Sequence, residues 1–184
     1  MRTLKFCIAV TVCLMLIVVA GPAQDKSANK YVGVSTCAPC HKAEKTGNQF
    51  GVWQKSKHAD SYKALTTPKA DEIAKAKGLK KPAAESPECL QCHVTTTDAA
   101  VMEKTFDMKM GNQCETCHGP GSAYKSMSIM KDKAKSAAAG LIVYKDDAAI
   151  EAKCKTCHND KSPTFKSFVF KDMWPKIKHA VPKG

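Results

Sequence analysis

One pentapeptide pattern recurs four times and dominates what this chain can become: Cys37-Ala-Pro-Cys40-His41, Cys89-Leu-Gln-Cys92-His93, Cys114-Glu-Thr-Cys117-His118 and Cys154-Lys-Thr-Cys157-His158. Cys-x-x-Cys-His is the attachment pattern of c-type haem. Two thiols three residues apart reach both vinyl groups of one haem, and the His that follows lies under the iron as its proximal ligand. Two other chemistries use paired cysteines. Four Cys-x-x-Cys pairs could hold structural zinc, or could close as disulfides in an exported chain. Neither needs a His after every second Cys, so a fourfold repeat of the full pattern sets both aside. The expected cofactors are four c-type haems. Their thioether bonds fall on Cys37, Cys40, Cys89, Cys92, Cys114, Cys117, Cys154 and Cys157, and their proximal ligands are His41, His93, His118 and His158.

The chain has ten cysteines, and the remaining two, Cys7 and Cys13, lie in a different kind of segment. Arg2 and Lys5 precede an apolar run over residues 6–20, and Gly21, Pro22 and Ala23 follow. Basic, then apolar, then small is the order of a secretory signal peptide. The run falls short of the roughly 20 apolar residues of a membrane span. Residues 1–23 therefore read as a cleaved leader and residues 24–184 as one haem-bearing domain in the periplasm. An uncleaved N-terminal anchor is the alternative. Cleavage leaves no cysteine outside the four motifs.

Long apolar stretches are scarce after the leader, and Lys and Ala fill the intervals. Such a chain gains much of its apolar burial from porphyrin faces, and without them it should be largely unfolded. The fold class expected is mainly α: a small-core multihaem cytochrome fold, with helices and loops wrapped around a cluster of four haems. After the leader come 27 Lys, no Arg and 17 acidic residues. Propionates and ferric cores bring the oxidised holoprotein to about +6 and the reduced one to about +2. The lysines are spread along the chain, and Arg, which dominates phosphate and base forks, is missing, so nucleic acid is not an expected partner. A solvated lysine surface is the plain reading. Docking to an acidic redox partner, or attraction of a small anion, is the sharper one.

Residues 24–36 read as a loose polar lead-in. Over residues 49–65, Phe50, Trp53, Gln54, His58, Tyr62 and Leu65 recur at three- and four-residue steps, which predicts one amphipathic helix with His58 on its apolar face. Residues 70–77 read as a helix within a connector punctuated by Pro68, Gly78, Pro82 and Pro87. Residues 119–121, Gly-Pro-Gly, predict a sharp turn that brings backbone close to a flat group such as a haem. Residues 122–139 predict a Lys- and Ala-rich helix stopped by Gly140, residues 141–144 a short strand, and residues 171–179 a final helix.

Iron ligands are limiting. The chain has six His, and only His58 and His179 lie outside the motifs. Two haems at most can be bis-His within one chain. The others must use Met, Lys, water or nothing, and Met raises the potential relative to His.

The chain resembles the tetrahaem cytochrome c-554 family, known from ammonia-oxidising bacteria as the electron acceptor of hydroxylamine oxidoreductase. The resemblance is carried by Trp53, Lys57-His58-Ala59 and Leu65; by Cys89-Leu-Gln-Cys92-His93-Val94; by Gly111-Asn-Gln-Cys114-Glu-Thr-Cys117-His118-Gly-Pro-Gly121; and by the fourth motif with Ser162-Pro163 behind it and a C-terminal His. It implies three bis-His haems and one five-coordinate haem. By position, His58 is similar to the distal ligand of the haem of His158, and His179 to that of His118. The haem of His93 is similar to the open one. The family places a further distal His after its Gly-Pro-Gly turn. This sequence has none there, and Met127 and Met130 stand in that stretch as candidate distal ligands of the first haem.

The function expected is a periplasmic electron carrier passing electrons between redox partner proteins through closely packed haems. One alternative is a haem-based reductase of nitrogen oxides or hydroxylamine, with a small nitrogen-oxide ligand at the five-coordinate iron. The other is a subunit of a polymeric haem wire.

Overall fold

The computed structural model describes residues 29–181. The leader expected at residues 1–23, with Cys7 and Cys13, lies outside that range. Among the described residues, no helix is long and apolar enough to cross a membrane.

The architecture is a set of short helices joined by turns: α1 Val34–His41, α2 Gln49–Gln54, α3 Ser61–Ala64, α4 Pro68–Ala76, α5 Pro87–His93, α6 Cys114–His118, α7 Met127–Met130, α8 Lys133–Ala138, α9 Asp147–Lys155 and α10 Phe170–Met173. The first three motifs each end a helix on their His: α1, α5 and α6 stop at His41, His93 and His118. The fourth motif starts in α9 and finishes on the turn beyond it. A helical turn sets residues three apart side by side, so both thiols of a motif share one face.

Sheet is almost absent. The described residues hold one isolated parallel bridge, between Tyr31 and Met102. The strand expected at residues 141–144 does not form. Ile142 gives its N–H to the His118 carbonyl, and Ile142 and Val143 are exposed with no strand beside them. An extended apolar stretch becomes a strand only with a neighbour to pair with.

Several expected helices are shorter or broken. Residues 49–65 form α2 and α3 with a turn between. Ser56 folds its hydroxyl back onto the Trp53 carbonyl, and the His58 carbonyl accepts from Ser61 N and from Asn112 N. A carbonyl engaged by a distant segment leaves the helical ladder, and the helix breaks there. Residues 122–139 split into α7 and α8 at Asp132, whose carboxylate caps Ala134 N and Lys135 N. Near the end, α10 gives way to a tight turn over Trp174–Lys176 at Pro175, and His179 lies beyond both. The helix expected at residues 70–77 is present as α4. Thr67 caps Ala70 N, and Pro68 sits at the first helical position.

The main apolar cluster is built from Leu65, Ala74, Ala83, Leu90 and Val94, with Tyr62, Leu79 and Met108 packed against it. It joins α3, α4 and the second motif's helix. Elsewhere few apolar side chains are buried, and Phe165, Val169 and Met173 near the fourth motif are exposed.

Candidate functional site

Three motif histidines end helices and His158 lies on the turn beyond α9, and what each ring meets next decides its use. His93 Nδ1 lies 2.7 Å from the Ser61 carbonyl, His41 Nδ1 3.2 Å from Gln49 Oε1, and His118 Nδ1 3.4 Å from the Ile142 carbonyl. An acceptor at Nδ1 holds the proton there and leaves Nε2 as a free lone pair, the arrangement metal-ligating imidazoles use. Gln49 is itself fixed, because its amide donates to the Ala180 carbonyl at 2.9 Å. His158 has a different support. Its ring stacks on Phe168 with centroids 4.8 Å apart and planes 16° from parallel.

The two histidines outside the motifs each face a motif histidine. The ring centroids of His58 and His158 are 6.0 Å apart, and those of His118 and His179 are 5.9 Å apart. A metal between two imidazoles, with bonds of about 2 Å and rings extending about 1 Å from nitrogen to centre, needs about 6 Å. The planes of the two pairs differ by 63° and 41°. Rotation about an iron–nitrogen axis leaves that angle free. All four rings are held toward their neutral, ligating form. Burial pushes His58 and His118 down first, and the opposing ring adds to it; burial alone does so for His158 and leads for His179.

His41 and His93 have no such partner among the six histidines. Met127 is 60% exposed, whereas Met130, three residues on in α7, is half-buried.

The cysteines form neighbouring pairs from different motifs. The Cys37 thiol is pushed up by Cys114 and then by burial. Cys92 is pushed up to about 11 by burial and then by Cys157, and Cys117 is pushed up by burial with Cys154 adding to it. The motifs thus neighbour one another in the order first, third, fourth, second. No two of the eight are joined as a disulfide. No three metal-ligating side chains converge at one point among the described residues. A structural zinc site needs four, so the donor set suits haem and not a bare ion.

The backbone around the third motif is more tightly tied than its sequence announced. The turn at residues 119–121 comes close to other chain segments. A Cβ on Gly121 would stand 2.9 Å from Glu115 Oε1 and 3.1 Å from Val32 Cγ2. Gly111 has φ +71°, and a Cβ there would meet the His58 carbonyl at 2.6 Å, so only glycine lets this strand pass the His58 turn. Trp53 Nε1 donates to the Asn112 carbonyl at 2.7 Å and ties α2 to the same strand. The lead-in is not loose where it is described. Lys30, Tyr31, Val32, Gly33 and Val34 all give their N–H groups to partners between residues 101 and 122. Glu115, Gln113 and Ser61, which make many of these ties, were not singled out in the sequence. The only signal for Glu115 was its place inside the Gly-x-x-Cys-Glu-x-Cys-His-Gly-Pro-Gly block.

Residues 36–119 match the family described as cytochrome c554 and c-prime. Over these residues, somewhat under half of its length, the chain is similar to that family. It is 28% identical over 140 residues to cytochrome c-554 of Nitrosomonas europaea, a match that covers 70% of this chain and 57% of that relative. No solved structure matches significantly. The similarity supports a c-type cytochrome, an iron-containing haem protein of electron transfer. The first three motifs lie within the matched residues, and the fourth lies beyond them.

Proposed function

We propose that this cytochrome binds four c-type haems, one at each Cys-x-x-Cys-His motif, and carries electrons between redox partner proteins in the periplasm. The observation that carries this reading is the twofold pairing of a motif His with a distant His at about 6 Å. A shared ligand accounts for two histidines, each more than fifty residues from its partner, facing that partner in this way. In this reading His58 and His158 hold the fourth haem, His118 and His179 the third, and His41 and His93 supply the proximal ligands of the first and second. Haem held there supplies a one-electron ferric–ferrous couple. The protein's part is to fix His41, His93 and His118 through acceptors at Nδ1, to brace His158 on Phe168, and to exclude water. It also sets neighbouring sites in the order first, third, fourth, second. The lysine-rich surface suits acidic redox partners.

In this reading no histidine is left to face His93, which favours a second use. An iron held only by His93 has a free position for a small ligand such as a nitrogen oxide, so reduction of such a ligand is the runner-up.

The test is mass spectrometry of the periplasmically matured protein, followed by its reduced absorption spectrum before and after carbon monoxide. Four covalent haems, with about a quarter of the haem signal shifting, are expected. Fewer haems would refute the attachment set, and a shift in more than half the signal would refute at least one bis-His assignment.

A further inference from the structure

Among the described residues Glu115 is the one buried carboxylate, 2% exposed. Its Oε1 accepts from Val32 N at 2.8 Å and from Gly121 N at 2.7 Å, and its Oε2 accepts from Gly33 N at 2.8 Å. These donors include the start of α1, the helix of the first motif. Helix N-termini leave N–H groups without internal partners. The residue at the cap of α1 is Gly33, which has no side chain to accept them. Glu115 and Gln113 accept them instead, Gln113 Oε1 taking Val34 N at 2.7 Å. These two side chains flank Cys114, so the third motif caps the helix of the first from across the chain.

The carboxylate is ionised by the pattern of its contacts. Both oxygens face N–H donors and neither faces an acceptor, so there is no partner for a carboxyl proton. Burial pushes its pKa up while the three N–H groups pull it down. No base neutralises it: Lys125, on the same side, is paired with Glu103 at 2.8 Å. A buried charge is screened far less than a surface one.

We propose that Glu115 is a positioning residue with an electrostatic effect: it clamps the first motif's helix to the third motif, and its negative charge biases the haems held there toward the oxidised state. This rests on haem attachment at those two motifs. Reduction adds one electron to an iron and moves no atom of Glu115, so a fixed negative charge nearby favours the ferric form.

The experiment compares wild-type holoprotein with Glu115→Gln and Glu115→Asp. Haem content is counted by mass, and an absorption-monitored redox titration uses small mediators. Glu115→Gln is expected to keep the wild-type haem count and to shift part of the titration curve to higher potential, leaving the rest in place. Glu115→Asp, which keeps the charge, should stay nearer wild type. A Glu115→Gln curve that overlays wild type would overturn the proposal, as would a uniform shift of the whole curve. Loss of haem from both variants would also overturn it, because the carboxylate would then serve folding alone. Wild-type protein lacking haem at these motifs would instead defeat the attachment reading, and the mass separates the two failures.

Discussion

Ser61 and His93 hold each other twice: His93 Nδ1 meets the Ser61 carbonyl at 2.7 Å, and Ser61 Oγ donates to the His93 carbonyl at 2.8 Å. The same hydroxyl lies 2.8 Å from the His58 carbonyl and accepts from Asn112 N at 2.9 Å. One small side chain thus connects the turn that carries His58, the end of the second motif and the strand leading to the third. Ser61→Ala keeps the main-chain acceptor for His93 but strands the groups the hydroxyl served. We expect a loss of about 1–3 kcal/mol of stability with full haem content. Denaturant unfolding followed by the haem absorption measures it, and an unchanged midpoint would mean that the hydroxyl is dispensable.

His58→Ala tests the pairing with His158. Removing a distal imidazole leaves the thioether bonds and the proximal ligand in place, so haem content should not change. One low-spin haem of the set should become high-spin, about a quarter of the signal if four are bound. Electron paramagnetic resonance of the oxidised protein reads this directly. A low-spin spectrum identical to wild type would remove His58 from the ligand set.

The parts of this molecule that could be read from sequence are those whose cause is local. Four repeats of Cys-x-x-Cys-His announce themselves, and α4 was legible from Thr67 and Pro68, because a cap and a first-turn proline act within four residues. The break between α2 and α3 was not legible. It depends on Asn112 reaching the His58 carbonyl across more than fifty residues, and periodicity carries no trace of that. The segment at residues 141–144 has the composition of a strand but no partner, and its backbone is used to hold His118. Residues 32–34 look like part of a loose lead-in until Gln113 and Glu115 are seen to accept their N–H groups. The facing of His58 and His179 to particular motif histidines came from family resemblance by position; residue counting alone left their haems unassigned.

In the proposed ligand set no histidine remains for the distal side of the first haem, and the two methionines of α7 differ in exposure. Met127 points its side chain largely into water, 60% exposed, while Met130 is half-buried. A thioether is a weak donor that binds iron only where water is kept away. Met130→Ala should therefore abolish a far-red thioether-to-iron absorption band and lower one potential, and Met127→Ala should change neither. A band that survives both substitutions would exclude this helix as the source of the ligand.

Without haem the chain has little to fold around. Ten apolar residues are buried among the described ones, and three of them are alanines, Ala74, Ala83 and Ala139. The one contiguous cluster lies around α3, α4 and α5 and leaves the third and fourth motifs outside it. Around the fourth motif Phe165, Val169 and Met173 are 38–41% exposed, the state of side chains that have no apolar partner within the chain itself. Ordering the backbone of each residue costs about 1–2 kcal/mol, and a core this small does not offset that over the whole length. The chain made without the haem-attachment machinery should therefore lack near-ultraviolet circular dichroism and be cut rapidly by protease throughout residues 110–181. Protection, if any remains, should be confined to residues 62–94. A protease-resistant apo-chain with native-like dichroism would show that these helices fold on their own contacts, and that haem is cargo and not core.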